Sequence, residues 1–413
     1  MTVNSTFAAN AASTGETPDF PMPRTCPFAP APEYVGLRAE APVSRVRVPD
    51  GQLAWLVTRY ADVRRLLTDP RVSADRFHPN LPLTEPVTPQ TRRNIAAVGR
   101  SLIGLDQPEH GPQRRMLIGD FTLRRAQEMR PHIQRTVDEC IDAILAGPKP
   151  VDLVAALALP VPASMITKLL GMPYEDRDLI VRSADAQLRR TVSAEQRQQT
   201  SSELRAYVDR LVSAKEAEPT DDLLGRLVVQ NRQTPLFDHD MLVGLAMLLL
   251  VAGFETTASM ISLGVAGLLE NPDQLAVVTG DPTAMGLAVE ELLRYFTVVD
   301  ALPRVATADI EVGGVTVRAG DGLLLSFASA NWDTDVFTDA EVLDVRRGAR
   351  HHMAFGYGIH QCIGQNLARA ELEIVFRTLF TRIPGLRLAE DLDGLPFRKE
   401  SNIYGLDRLP VTW

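Results

Sequence analysis

The chain is poor in cysteine and has no excess of positive charge. Its 413 residues include three cysteines, Cys26, Cys140 and Cys362, which are far apart and odd in number. This argues against a disulfide framework and predicts a reducing compartment, the cytoplasm. The net charge of −9 argues against nucleic acid as the main partner. The first residues contain neither a basic segment nor a long apolar run, so we predict no signal peptide and no membrane anchor.

What is present predicts a mainly α-helical protein with a minor β portion. Residues 1–24 are polar and predict a disordered tail, whereas residues 25–413 predict a single domain. Two alternating segments, Val43–Val48 and Gln52–Thr58, predict a β-hairpin around the turn Pro49-Asp50-Gly51.

After this hairpin the pattern changes along the chain. The segment Tyr60–Asp69 predicts a short helix, and Phe77–Leu105 predicts a long loop of the kind that forms lids or binding segments. Helical periodicity dominates from Gly111 to about Gly286. Strand signals return at Ile310–Val317 and near the C-terminus.

One predicted helix is apolar on every face. It begins at the capping residue Asp238 and ends before Pro272. Its length and composition would suit a membrane span. However, Glu255 lies near its middle, where an isolated carboxylate in hydrocarbon would be costly. We therefore predict a helix that crosses the core of a soluble protein.

Cys362 lies in the glycine-rich stretch "HHMAFGYGIHQCIGQNLARAELE" and has three simple interpretations. It could be a small buried apolar residue. It could bind zinc with His351, His352 and His360, although the spacing lacks paired ligand motifs. It could also be a nucleophile activated by His360.

A further interpretation starts from the glycines around this thiol. Gly356, Gly358 and Gly364 allow positive φ angles and the close approach of a flat ligand. A following helix would favour the thiolate form of Cys362. The stretch resembles the signature of the cytochrome P-450 superfamily, Phe-x-x-Gly-x-(Arg/His)-x-Cys-x-Gly, at Phe355, Gly358, His360, Cys362 and Gly364. The resemblance implies that Cys362 is the axial thiolate ligand of a haem iron.

A second motif lies upstream of the cysteine. In "EELLR", Glu291 and Arg294 are one helical turn apart and can pair, as residues on many helix surfaces do. In the family that the chain resembles, such a pair binds an arginine between this helix and the cysteine. Arg347 is the matching residue, with Arg346 as a poorer substitute. The implied role is structural support of the haem loop.

A third motif, "AGFETT" (Ala252–Thr257), lies within the long helix and resembles the family's oxygen-binding groove. The small residues Ala252 and Gly253 would leave room for a diatomic ligand. Thr256 and Glu255 are the implied proton-handling residues. The alternative is that the threonine bonds only to its own helix. Phe254 departs from the family, whose members often have histidine there.

Charged residues also match the family's contacts to the haem propionates. His110 and Arg114 in "HGPQR" would hold one propionate, and Arg304 and His360 the other. Buried carboxylates need such donors.

The resemblance covers nearly the whole chain and is closest to soluble actinobacterial enzymes of secondary metabolism and xenobiotic oxidation. It implies the triangular, mainly helical fold around haem b. The implied activity is hydroxylation or epoxidation of a bulky hydrophobic organic substrate with O2. Without a nicotinamide or flavin motif, a ferredoxin and its reductase are expected to supply electrons to this monomer. The alternatives are an oxidative-coupling or peroxygenase variant, which the Glu255-Thr256 pair disfavours, and a non-catalytic haem sensor or binding protein.

Family position also predicts two surfaces. The distal pocket is expected between the Phe77–Leu105 loop, the long helix and two later segments. The pocket residues expected on the helix and the later segments are Val243, Met247, Val298, Val299, Leu302, Ile403 and Tyr404. Their apolar side chains predict a hydrophobic ligand. A basic patch for an acidic ferredoxin is expected at Arg115, Arg124, Arg125, Arg346, Arg350 and Arg369.

Overall fold

The computed structural model describes residues 17–84, 100–188, 193–281, 283–399 and 401–413, and most of their secondary structure is helical. The helices are α1 (Glu33–Glu40), α2 (Tyr60–Leu66), α3 (His110–Ile118), α4 (Leu123–Ala146), α5 (Pro160–Leu170), α6 (Arg177–Leu188), α7 (Ala194–Ala217), α8 (Leu223–Gln233), α9 (His239–Glu270), α10 (Pro272–Gly280), α11 (Met285–Phe296), α12 (Phe327–Ala330) and α13 (Gln365–Arg382). The strands are β1 (Val43–Arg47), β2 (Leu53–Val57), β3 (Val72–Ser73), β4 (Val151–Asp152), β5 (Ala301–Ala306), β6 (Ile310–Val312), β7 (Val315–Val317), β8 (Gly322–Ser326), β9 (Arg387–Leu388) and β10 (Pro410–Thr412).

The folded domain begins earlier than the sequence predicted. Phe20 and Met22 are 2% and 3% exposed and belong to a core cluster. The N–H of Phe20 donates to the carbonyl of Arg47 at 2.8 Å. The prediction of a disordered tail is therefore wrong for residues 17–24, while residues 1–16 lie outside the described part of the chain.

The strands form one larger sheet and two small ones. The larger sheet has the order β1-β2-β8-β5-β3, in which β8 pairs parallel to β2 and antiparallel to β5. The predicted hairpin is confirmed as β1 and β2, with Val43 opposite Val57. The predicted strands at Ile310–Val317 form the hairpin β6–β7, and β4-β10-β9 form the third sheet.

Helix α9 crosses the core, as its uniform apolarity predicted. The side chain of Asp238 accepts a hydrogen bond from the N–H of Met241 at 2.8 Å and caps the first turn. The helix is long and apolar enough to cross a membrane, but most of its apolar window is buried inside the fold. At Gly267, the ring of Phe296 occupies the position that a Cβ would need. The absence of a side chain at Gly267 therefore allows Phe296 of α11 to pack closely against α9.

Helix α13 completes the frame of the site. It packs against α4, α9 and α11, and its first residue, Gln365, follows the glycine-rich segment that contains Cys362. The cysteine thereby lies just before the start of a helix that is anchored in the core.

Candidate active site

The segment before α13, residues 353–364, is a tight loop held by its own backbone; we call it the cysteine loop. The N–H of Cys362 donates to the carbonyl of Phe355 at 2.8 Å. Gly356 and Gly358 have φ angles of +67° and +73°, which favour glycine. A Cβ at Gly358 would lie 2.5 Å from the carbonyl oxygen of Leu67. The glycines are therefore needed both for the turn and for its contact with the end of α2.

The start of α13 is not sufficient to keep Cys362 in its thiolate form. Burial raises its pKa above the ordinary value, while the N–H groups of Gly364 and Gln365 and the charges of Arg114 and Arg369 act in the opposite direction. The expectation that the helix start favours the thiolate is thus outweighed by desolvation. A metal cation bound at the sulfur would supply the missing positive charge.

Two of the simple interpretations of this cysteine are wrong. Within the described ranges, no cluster of three or more His, Cys, Asp or Glu residues could hold a metal ion, which contradicts a zinc site. His351 instead stacks on Phe337, with centroids 4.6 Å apart. Burial and the nearby charge of Arg304 lower the pKa of His360 to about 3, too low for a base that activates a thiol.

The predicted propionate ligands form a cationic cluster beside the cysteine loop. The rings of His110 and His360 lie 4.4 Å apart. Both ring nitrogens of His110 and Nε2 of His360 are buried without a hydrogen-bond partner in the described structure. Arg114 donates to the carbonyl of Gln361 at 2.6 Å, and Arg304 donates to the carbonyl of Pro303 at 2.8 Å.

The cluster carries more positive than negative charge in the described part of the chain, where the carboxylate of Asp106 acts on Arg304 and His110. Burial, together with the charge of Arg76, lowers the pKa of Arg304 to about 10, and burial also lowers the pKa of Arg76. Among the described residues, Arg76, Arg114 and Arg304 form no ion pair. Buried cations are costly without anionic partners. A flat cofactor that carries two carboxylates, such as protoporphyrin IX, supplies both the charges and the missing acceptors, so the residues present fit haem.

Arg76 was missed by the sequence reasoning. It lies three residues after strand β3 (Val72–Ser73), immediately before the segment predicted as a long loop. Nothing in its local sequence distinguishes it from a solvated arginine, because its burial is created by the surrounding fold.

The middle of α9 is accessible although the helix crosses the core. Val251 is 52% exposed and Ala252 is also exposed, although the flanking turns of the helix are buried. Gly253, Glu255 and Thr256 are partly exposed, whereas Phe254 is buried. Four residues of the predicted oxygen groove are therefore accessible in a helix that is otherwise largely buried: Ala252, Gly253, Glu255 and Thr256.

The two predicted proton-handling residues differ in their contacts. The hydroxyl of Thr256 donates to the carbonyl of Ala252 at 2.9 Å, which is the local bond considered as the alternative. Its oxygen can still accept a hydrogen bond from another group. Oε1 of Glu255 lies 3.0 Å from Nη1 of Arg398, a buried guanidinium that also donates to Ser259 at 2.6 Å. The sequence could not reveal Arg398, which is 143 positions from Glu255.

The Glu-x-x-Arg motif forms the predicted ion-pair triad. Glu291 and Arg294 are fully buried, and Arg294 donates to both carboxylate oxygens at 2.8 Å. Nε of Arg347 lies 3.1 Å from Oε1 of Glu291. Arg347 is thus the partner, and the substitute Arg346 is exposed.

The predicted pocket residues divide into two groups. Met247, Val299, Leu302 and Ile403 are partly exposed. The other three are buried in the core, at 0% exposure for Val243 and Tyr404 and 8% for Val298, so their prediction as pocket walls is wrong. The hydroxyl of Tyr404 donates to the carbonyl of Pro27 at 2.6 Å. Residues 85–99 of the predicted lid loop lie outside the described residues.

Some arginines of the predicted basic patch are exposed, and others form ion pairs. Arg115, Arg346 and Arg350 are exposed, whereas Arg124 and Arg125 both pair with Glu128. Arg369 is paired with Glu290, so its inclusion in a free patch was wrong. Arg64 of α2 was missed: it donates to the hydroxyl of Tyr357 in the cysteine loop at 3.0 Å.

Comparisons with known proteins agree with the resemblance. A family model described as Cytochrome P450 matches residues 285–383. Pentalenic acid synthase of Streptomyces avermitilis is 47% identical over 95% of this chain and 97% of its own length. The 20-oxo-5-O-mycaminosyltylactone 23-monooxygenase of Streptomyces fradiae is 44% identical and covers 95% of this chain and 92% of its own. The crystal structure of cytochrome P450 MoxA from Nonomuraea recticatena has a TM-score of 0.90 and 50% identity, covering 96% of this chain and 98% of that one.

Proposed function

Since the chain belongs to the cytochrome P450 family and is a haem-dependent monooxygenase, we propose that it oxidises a bulky, largely hydrophobic organic molecule with electrons from a ferredoxin. The reaction is a hydroxylation or an epoxidation. Haem would supply the dioxygen chemistry when it is bound, and the sulfur of Cys362 would hold its iron. The protein acts as a soluble, cytoplasmic monomer whose three cysteines form no disulfide.

The chain's own residues bind and orient the cofactor. The guanidinium groups of Arg114 and Arg304 and the ring nitrogens of His110 and His360 serve as donors to the two propionates, and Arg76 adds a further buried cation. The turn that begins at Phe355 presents the sulfur of Cys362. The glycines of this turn keep side-chain atoms away from the face of the ligand.

Two residues of α9 handle protons in this proposal. Oγ1 of Thr256 provides a hydrogen bond where dioxygen reacts. The carboxyl of Glu255 relays protons from solvent into the site. The ion pair with Arg398 fixes the Glu255 carboxylate in place. Proton transfer from Glu255 therefore requires this pair to loosen.

The observation on which the substrate class depends is the apolar character of the accessible side chains at the predicted pocket positions. Val251 is 52% exposed within a core helix, and Met247, Val299, Leu302 and Ile403 are partly exposed. Because these side chains offer few polar groups, they favour a ligand that is recognised by its shape and its apolar area. The relative named for 23-monooxygenation of 20-oxo-5-O-mycaminosyltylactone supports a substrate of that size class.

An optical titration of the purified holoenzyme tests the substrate class. Polyketide- and steroid-sized compounds are expected to displace the water on the haem and shift its absorption. Small hydrophilic acids are expected to have no effect. Tight binding of such acids, with no response to any large apolar compound, would overturn this part of the proposal.

The ligand assignment has its own test. The reduced protein with carbon monoxide should show the red-shifted absorption of a thiolate-ligated haem, and Cys362→Ser should abolish it. Retention of that band in Cys362→Ser would contradict the assignment.

A further inference from the structure

We propose that Arg369, held by Glu290, is a positioning residue that fixes the ring of Phe355 beside the thiolate ligand and raises the reduction potential of the haem iron. This inference rests on the proposed ligation by Cys362. It concerns how readily the enzyme accepts its first electron from the ferredoxin.

Arg369 is anchored by a bidentate ion pair. Its Nε donates to Oε1 of Glu290 at 2.6 Å and its Nη2 to Oε2 at 3.1 Å. Its Nη1 donates to the side-chain oxygen of Gln365, one turn earlier in α13, at 2.9 Å. A guanidinium with contacts on three nitrogens has one orientation, which a lysine could not reproduce.

The anchored guanidinium lies against the cysteine loop. Its central carbon is 4.6 Å from the centroid of the Phe355 ring, a cation–π distance. The ring of His352 packs near the same ring, with centroids 5.7 Å apart. Phe355 also accepts the backbone hydrogen bond from Cys362 at 2.8 Å. Arg369 is thus connected to the ligand through one residue.

The carboxylate that holds Arg369 is itself kept ionised. Burial raises the pKa of Glu290, but His352 and Arg369 outweigh this effect and lower it to about 2. Nε2 of His352 lies 3.3 Å from Oε2 of Glu290, close enough for attraction although outside hydrogen-bond geometry. The pair therefore stays charged throughout the physiological range.

The direction of the effect follows from charge. One-electron reduction by the ferredoxin converts ferric to ferrous haem and adds a negative charge to the haem–thiolate unit. A fixed cation near this unit stabilises the reduced form. Of the two charges, the guanidinium is the one that contacts the cysteine loop through Phe355, so its influence exceeds that of Glu290.

The test is a spectroelectrochemical titration of the substrate-free holoenzyme. Arg369→Gln should shift the one-electron reduction equilibrium about tenfold toward the oxidised form, or about 59 mV. Glu290→Gln should shift it in the opposite direction. Arg369→Lys, which keeps the charge, should shift it less than Arg369→Gln. Arg377→Gln is the control, because Arg377 lies on the same helix and pairs with Glu373.

The outcomes separate this inference from the proposed function. An unchanged potential in Arg369→Gln, or shifts of the same sign in Arg369→Gln and Glu290→Gln, would overturn the inference while the carbon monoxide band of the unmodified protein still supports Cys362. If Arg369→Gln fails to take up haem, Arg369→Lys and Glu290→Gln decide by the signs of their shifts. Absence of the thiolate band in the unmodified protein would instead overturn the ligand assignment itself.

Discussion

The carboxylate of Glu255 is positioned in the active site by an ion pair with a residue far along the chain. This carboxylate is held by Arg398, which is itself fixed by Ser259 one turn further along α9. The hydroxyl of Thr256, the adjacent residue, donates to the carbonyl of Ala252 in its own helix. We therefore expect substitution of Glu255 to lower the rate of product formation, and substitution of Thr256 to lower the amount of product formed per NADPH.

The first prediction concerns proton supply. Glu255→Ala removes the carboxyl that relays protons, so product formation should slow by roughly ten- to a thousandfold. The measurement is turnover with saturating reduced ferredoxin. Glu390→Ala is the matched control, because Glu390 forms an exposed ion pair with Arg408. A normal rate in Glu255→Ala would assign the relay to substrate or water.

The second prediction concerns the hydroxyl of Thr256. Thr256→Ala should leave the thiolate spectrum and the substrate affinity nearly unchanged, because the lost hydrogen bond is internal to α9. Product formed per NADPH should fall while hydrogen peroxide accumulates. Thr279→Ala provides the control, since that hydroxyl makes the same kind of bond to Leu275 in α10 at 2.9 Å. Full coupling in Thr256→Ala would leave this threonine with a purely helical role.

At the scale of elements, the site depends on contacts between segments that each have little stability alone. The cysteine loop touches the end of α2 through Gly358, and helix α7 is attached to the start of α9 through His239. Both contacts join elements that are separated in sequence, and each depends on the chemistry of one residue.

The third prediction tests the packing of the cysteine loop. Gly358→Ala introduces a Cβ 2.5 Å from the carbonyl oxygen of Leu67, at a φ of +73°. The positive φ alone costs about 1–2 kcal/mol, and the backbone clash adds to it. Haem incorporation should fall and the carbon monoxide band should lose its thiolate position. Gly286→Ala, at a helical glycine with open space around it, should retain both properties.

The fourth prediction concerns pH. The ring nitrogens of His239 lie 2.7 Å from Glu216 and 3.2 Å from Asp209, two carboxylates on α7 that only accept hydrogen bonds. Glu216 and then Asp209 raise the pKa of His239. Arg205 and Asp240 form a neighbouring ion pair of the same interface. The charged ring stabilises the contact fully below about pH 6.5, and this contribution is lost as the pH rises through the folded-state pKa.

Because His239 is partly exposed, its contribution is about 1 kcal/mol or less. Denaturant unfolding should show the unmodified protein to be more stable than His239→Gln at pH 6, with a smaller difference at pH 9. An equal difference at both pH values would mean that the ring acts by packing rather than by charge.

At the scale of the whole molecule, an acidic chain presents a local group of arginines near the cysteine loop. Arg115 and Arg350 are exposed, and Arg64 contacts Tyr357 in the loop itself. Arg369, by contrast, is held in an ion pair with Glu290 and is not available to a partner protein. We propose that the exposed residues Arg115 and Arg350 belong to a surface that suits an acidic ferredoxin.

The fifth prediction tests this docking. Reduction by an acidic ferredoxin should slow as salt rises, because screening shortens the range of the attraction. Arg115→Glu and Arg350→Glu should slow it roughly several-fold at low salt and converge with the unmodified protein at high salt. Arg387→Glu makes the same change in net charge beyond the far end of α13, an 18-residue helix about 27 Å long. A rate that is insensitive to salt, or equally reduced by Arg387→Glu, would contradict the docking surface.

Local patterns were sufficient to predict much of the fold and the motifs of the site. The hairpin of β1 and β2, the cap of α9 at Asp238 and the cysteine loop all follow from backbone sterics, hydrogen bonding or periodicity over a few residues. The Glu291–Arg294 pair likewise lies within one helical turn. Each of these features depends on residues that are close together in the chain, so the sequence alone determined it.

Only the tertiary structure decided which distant groups meet. Arg398 reaches Glu255, and Glu290 captures an arginine that the sequence had placed on an open surface. The same packing buries Tyr404 and Phe20, one expected in the pocket and the other in a tail. Burial and long-range ion pairs depend on how complete elements pack, because the partners are supplied by segments with no pattern in common.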